Sequence, residues 1–375
     1  MMAPPHPFAF QCPLTNQLIG AFALLPPAWV HILVIIIGLG VLFAIFKSMV
    51  HVAIMNRHDM DIFARLTSRT VHRIIGVCAR SSKHYEDTQS TLYWFLGAYI
   101  VSLIAVYFIW AMIAFALLYW GAWAVPGWNK AFIAAGSGLT TLGFATPSTY
   151  VGQWLAIPEG AMGLGIVVFL FTFIPGFQSA ISSRDEQTGW LYARMADLTT
   201  QADLIAWFNQ GGNTHDEAGI WEMWEGWFRL LADSHLQSPM LSVVPSVQKG
   251  QSWVVAAAIV LDAAAFSVST IPIHPESAIV CVRTGTSAIS LIAEALSTST
   301  RKQEDSGQRI SRSAYDNLCD QLVTRGIRLK ADRDASWSDF IALRSRYLSS
   351  ISYLAERAFV PLVDIFGKTR DFTRE

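Results

Sequence analysis

Charge is scarce in this chain. Of its 375 residues only 15% are charged, and 27 basic residues against 28 acidic ones leave a net charge of -1. Nothing in that balance suits a nucleic-acid partner, which needs a basic stripe or patch. Cysteine is scarce too: Cys12, Cys78, Cys281 and Cys319 lie far apart, with no CxxC pair and no histidine at metal spacing. A disulfide framework and a structural zinc site are therefore not expected. No lysine or arginine occurs before Trp29, so the Pro-rich start lacks the basic n-region of a secretory leader and reads as an extracytoplasmic tail, residues 1–28. Phosphate-binding glycine loops, GxSxG and HExxH are absent as well, which gives no support to an enzyme or to a bound cofactor.

What the chain has instead is apolar residues, 53% of the total, with a positive mean hydropathy. Long apolar runs of helical character and no series of alternating strands predict an all-α membrane protein. Residues 29–47 are long and apolar enough to cross a bilayer, with Trp29 and Lys47 as anchors at the two ends. Residues 48–90 carry Arg57, Arg65, Arg69, Arg73, Arg80 and Lys83 among interleaved apolar positions, the pattern of surface helices beside a membrane. Basic residues collect on the cytoplasmic side, so this linker is expected inside and the N-terminus outside. Docking of anionic lipid is an alternative use of the same charge. A second span is expected over 91–125, with Tyr93 and Trp94 at one interface and Tyr119, Trp120 and Trp123 at the other.

The stretch from Asn129 to Ser182 organises the rest. A short apolar helix runs into Thr140-Thr141-Leu142-Gly143-Phe144-Ala145-Thr146, and a long apolar helix follows from about Ala156 to Ile181. The first helix is too short for a hydrocarbon core about 30 Å thick and must re-enter. Irregular backbone at that depth is tolerated only where protein buries it or where it lines a water-filled cavity.

TTLGFAT resembles the selectivity-filter signature of the potassium-channel superfamily, usually written TTVGYGD, placed between a pore-helix-like and an inner-helix-like segment. The resemblance covers residues 91–182. It implies a fourfold-symmetric homotetramer in which each chain gives three spans, a re-entrant pore helix and a filter loop. Carbonyls of Thr141, Leu142, Gly143 and Phe144 would then replace the hydration shell of K+ or another monovalent cation. Ala145 stands where the family has a second glycine and Thr146 where it has aspartate. Ala145 would cost about 1 kcal/mol if that position were left-handed, which favours a cation pore over strict potassium selectivity. Gly165 occupies the position of the family's hinge glycine, and Pro175-Gly176 that of a kink near the gate. Small residues there also suit close helix packing. Glu159 is expected at the start of the inner helix, at the pore mouth.

Residues 183–375 read as a helical cytosolic domain. Trp221, Trp224, Trp227, Phe228 and Leu231 recur at helical spacing, as do Phe340, Leu343, Tyr347, Ile351 and Leu354, and both sets are expected to face a core or, for the last helix, a neighbouring subunit. Ser252 to Ser269 is nearly long enough to span, but Asp262 in its middle favours a buried bundle helix. His235, Asp262 and Glu294 are candidates for a polar site. The expected whole is a multi-pass cell inner (plasma) membrane channel gated by its cytosolic domain and contacting lipid. Its rivals are a non-selective pore, a subunit of an ion transporter with a nucleotide-binding partner, and a membrane-anchored sensor whose filter does not conduct.

Overall fold

A computed structural model describes residues 27–50, 62–80, 85–196, 198, 200–210, 217–297 and 310–361. Residues 1–26 of the expected N-terminal tail, Arg57 and Lys83 lie outside these residues. Every regular element among them is helical. In chain order they are α1 (Ala28–Val50), α2 (Ile62–Arg80), α3 (Tyr85–Gly121), α4 (Trp128–Leu139), α5 (Tyr150–Ala196), α6 (Gln201–Asn209), α7 (Glu217–Gln237), a 3-10 turn (Pro239–Ser242), α8 (Trp253–Thr270), α9 (Glu276–Leu296), α10 (Arg312–Thr324) and α11 (Arg333–Arg357). Five of them, α1, α3, α5, α8 and α9, are long and apolar enough to cross a membrane.

Two compact units share the chain: residues 1–47 with 107–167, and residues 48–106 with 168–375. In the first, α1 meets the C-terminal part of α3. Gly38 has no side chain where the Ala114 carbonyl and Leu118 press in, and Gly121 likewise admits Ile35 and the His31 carbonyl. His31 of α1 is buried, stacked on Trp120 at 4.6 Å and tilted against Trp123 at 4.2 Å.

The second unit is a helical bundle whose core α8 fills. All but one of that helix's 18 residues are buried, against α6, α9 and α11. The tryptophan stripe of α7 is buried as its spacing predicts, and Phe340, Tyr347, Ile351 and Leu354 of α11 are buried in the same core. Trp221 stacks on Phe208, and Trp224 meets Trp227 edge to face.

Helix ends differ from the sequence reading in an instructive way. α5 starts at Tyr150 rather than near Ala156, because the Thr149 hydroxyl accepts from Gly152 N–H at 3.2 Å and caps the first turn. It also runs on to Ala196, since 182–196 contains no proline or glycine pair to stop it and buries Leu191 and Met195 in the bundle core.

Candidate pore loop and its supports

α4 has 12 residues, which at 1.5 Å per residue is about 18 Å, well short of a bilayer core. Its buried face is Ala131, Ala134, Ala135, Ser137 and Leu139, small residues that allow neighbouring backbone to approach closely. Beyond Leu139 the chain does not run straight on. Thr140 caps the helix, its N–H donating to Gly136 O at 3.1 Å and its hydroxyl to the same carbonyl at 2.6 Å.

The loop then turns alternate N–H groups back onto α4. Thr141 N–H donates to Gly138 O at 3.0 Å, Gly143 N–H to Ser137 O at 3.2 Å, and Ala145 N–H to Ser137 Oγ at 2.9 Å. In a trans peptide the carbonyl points opposite to the N–H that follows it. The carbonyls of Thr140, Leu142 and Phe144 are thus aimed away from the helix, which includes two of the four expected ligands, Leu142 and Phe144, with Thr140 in place of Thr141 and Gly143. Two residues of the loop are left-handed, with φ of +60° at Thr141 and +68° at Gly143. Glycine takes such a value without penalty. For a β-branched threonine it stores strain of about 1–3 kcal/mol, a cost that persists only where surrounding structure holds it. Ala145 has no positive φ, so the strain expected at that position falls at Thr141 instead.

Residues 140–144 are exposed in the single chain, Leu142 at 71% and Phe144 at 70%. Thr146 is exposed and Ala145 half-buried.

Behind the loop stands α5. Glu159, expected at the start of this helix, lies in its third turn and is fully buried, because the cap at Thr149 starts the helix earlier in the chain. Its carboxylate accepts from Tyr119 Oη at 2.5 Å and packs on Gly138, where any side chain would overlap it. The second oxygen, Oε1, is buried without a hydrogen-bond partner. One turn further along, Gly163 receives the Leu139 carbonyl, which any side chain there would displace. Gly165 faces open space, so close packing within one chain does not explain it. Pro175 and Gly176 are exposed, and Phe177 beside them is buried.

The three candidates of the 183–375 region do not form one site. Asp262 is buried with Arg344, Nε to Oδ1 at 3.1 Å, and takes Tyr347 Oη at 2.6 Å. Glu294 is exposed. His235 is buried against Trp253, ring centroids 4.8 Å apart, with Nδ1 at 2.8 Å from Leu231 O. A carbonyl can only accept, so Nδ1 carries the proton. Burial holds this imidazole neutral, its pKa pushed down to about 3, with the nearby Arg184 charge adding to the effect. Among the described residues no group of three or more His, Cys, Asp or Glu could hold a metal ion.

Sequence reasoning missed a second cluster, around residues 241–251. Arg184 of α5 donates to Leu241 O, Val244 O and Pro245 O, each at 3.1 Å, and Asp185 accepts from Val247 N–H at 2.7 Å. From α3, Gln89 donates to Ser246 O and Gln248 O, each at 2.8 Å, and accepts from Gly250 N–H, while Tyr93 Oη donates to Val247 O at 2.6 Å. One polar segment is thus tied to the ends of two apolar helices. A buried arginine three residues past an apolar run was the available signal.

No protein-family model, no curated protein and no solved structure matches this chain. The functional reading accordingly stands on the loop, its flanking helices and their geometry.

Proposed function

We propose that this chain is one subunit of a homotetrameric cation channel, potassium-conducting, in which the 140–146 loop is the filter. α1, α3 and α5 cross the inner (plasma) membrane with the N-terminus outside, α4 re-enters from outside, and the 183–375 region is cytosolic. In this reading α8 and α9 stay in the bundle, because α8 is buried on all sides by protein and carries the Asp262 ion pair. The observation that carries the proposal is the row of carbonyls at Thr140, Leu142 and Phe144, turned away from a helix too short to span, on a loop that one chain leaves exposed. Such a loop cannot surround an ion alone, and closed symmetry about an axis supplies the other ligands. The carbonyl end of α4 adds partial negative charge near Thr140. No enzymatic step or cofactor belongs to this mechanism: monovalent cations pass down their electrochemical gradient through a pore surrounded by lipid.

Gating fits the same layout. Pro175-Gly176 and Gly165 are points where α5 bends or splays, and the Arg184 clamp transmits force from the bundle to that helix, so Arg184→Gln changes open probability while leaving unitary conductance as it was.

The test is flux of the full chain in liposomes, with reversal potentials in mixed potassium and sodium for the native protein and for Ala145→Gly. Cation current with a potassium preference is expected, and since Ala145 has no positive φ for glycine to relieve, Ala145→Gly should leave that preference nearly as it was. A sealed liposome with folded tetramer and no current would make the chain a membrane-anchored sensor instead.

A further inference from the structure

α2 has its large apolar residues on the wrong side for a helix of a soluble bundle. Ala64, Thr67, Ser68 and Val71 are its buried residues, whereas Ile62, Leu66, Ile74 and Val77 are exposed at 76%, 65%, 63% and 70%. At 100° per residue those four positions fall within about 120° of arc, a single continuous stripe along the helix. The polar residues inside that arc are Thr70, whose hydroxyl donates to Leu66 O at 2.9 Å, and Arg73, which lies near the Ile62 edge and is long enough to carry its charge out to headgroup level. A stripe prepared in this way can leave water.

Charge adds a direction. The helix contains Arg65, Arg69, Arg73 and Arg80 and no acidic residue. By the same angular count, Arg65, Arg69 and Arg73, four residues apart, form a row that approaches one edge of the stripe and crosses it at Arg73. Arg73 is exposed, and Arg65 and Arg69 are half-buried. An apolar face edged by cations complements a leaflet of anionic headgroups over acyl chains.

The packing partners set the height of the helix. His72, in the middle of α2, meets Phe95 of α3 edge to face, ring centroids 6.1 Å apart. Phe95 lies just inside the point where α3 turns from Glu86, Asp87 and Gln89 to Leu92, Tyr93 and Trp94, the interfacial end of a membrane-crossing helix. Trp94 is itself exposed. On its other side His72 lies against Phe359, centroids at 5.6 Å, and Gly76 has room only for that phenyl ring, so α2 is wedged between α3 and the residues that end α11.

We infer that α2 is an interfacial helix that docks on anionic phospholipid of the inner leaflet, the 62/66/74/77 stripe entering the acyl boundary and Arg69 and Arg73 meeting headgroup phosphates. Through His72 and Gly76 the same helix joins that lipid to the C-terminal end of α11. Nothing in this inference requires the pore to conduct.

The experiment places a bimane fluorophore at Leu66→Cys or Ile74→Cys, in full-length protein carrying Cys12→Ser and Cys78→Ser, in nanodiscs of defined lipid. Val323→Cys on α10, exposed in the bundle, is the aqueous control. Lipid-borne doxyl is expected to quench positions 66 and 74 several-fold more than 323, and iodide in water the reverse. Discs containing phosphatidylglycerol should give stronger doxyl quenching than pure phosphatidylcholine, a difference that Arg69→Gln with Arg73→Gln removes. Iodide quenching equal to that at 323 would overturn the inference. So would protection from both quenchers, which means that protein covers the stripe, and so would quenching indifferent to headgroup charge, which leaves a lipid contact without the anionic recognition.

Discussion

Two buried carboxylates set the loop unit and the bundle apart. Asp262 sits in the bundle core with a guanidinium and a phenol directed at the same oxygen. Glu159 sits behind the loop with one phenol and a glycine against it. A buried charge is tolerated when it is paired and hydrogen-bonded. The bundle meets that condition and uses the pair to pin α8 to α11. Glu159 has a phenol as its hydrogen-bond donor, and the strained Thr141 lies three residues beyond the Gly138 on which it packs. Stability is concentrated in one region, and stored strain in the other.

The sharpest way to break this contrast is to remove the bundle's partner. Arg344→Met leaves Asp262 buried and uncompensated, which costs about 3–5 kcal/mol. Thermal unfolding followed by the bundle's tryptophans should show it. Asp262→Leu in the same chain should recover most of the loss, since an apolar pair replaces a buried ion pair at little net cost; a double variant as unstable as the single would mean that the pair does more than cancel its own desolvation.

Acid probes the bundle again at a second buried group. His235 has a folded pKa of about 3 against the ordinary value of 6.5. Its neutral form therefore stabilises the fold fully above about 6.5, and that contribution drains away as pH falls from there toward 3. The slope is about 1.4 kcal/mol per pH unit in that window. Unfolding midpoints in denaturant between pH 7 and pH 4 should fall less steeply for His235→Asn than for the native chain. Equal slopes would mean that the ring is not held neutral.

In the loop unit the contacts of glycine replace ion pairs. Gly163→Ala pushes a methyl into the Leu139 carbonyl and must move α4 or α5, at about 1–3 kcal/mol. Gly165→Ala meets nothing within 4 Å and gains helix propensity, so it should leave stability unchanged or slightly raised. If Gly165→Ala nonetheless alters gating, the position acts as a hinge. If both variants behave alike in thermal unfolding, the close approach at Leu139 is not rigid.

Much of this was legible from residues alone. Helical periodicity found the tryptophan stripe of α7 and the buried face of α11, because a soluble-type core demands one apolar side at a 3.6-residue period. The membrane class followed from run length, and the short helix before TTLGFAT from its 12 residues. Helix ends were less legible. Thr149 starts α5 earlier in the chain through a single hydroxyl, and Glu159, expected at the helix start, lies buried in its third turn. The partners of Asp262 were invisible for another reason: Arg344 and Tyr347 are more than 80 residues away in sequence, and only packing brings them together. The clamp on residues 241–251 was hidden likewise, since its acceptors are backbone carbonyls and any sequence has those.

Ser137 gives the smallest effect on stability and the most pointed one on the loop. It is fully buried, its carbonyl holds Gly143 N–H, and its hydroxyl holds Ala145 N–H. Ser137→Ala keeps the first bond and deletes the second. A lost hydrogen bond of this kind costs about 1 kcal/mol, and less where water can reach the freed N–H, as it can beside the exposed Thr146. Global unfolding should therefore move little. The peptide between Phe144 and Ala145, however, loses what fixes its plane, and the Phe144 carbonyl loses its direction with it. If that carbonyl is a cation ligand, potassium preference should fall in Ser137→Ala while Ser137→Thr, which keeps the hydroxyl, retains it. The comparison separates a loop that coordinates ions from one that merely folds, because a structural role would tie loss of selectivity to loss of stability, whereas coordination lets the first change without the second.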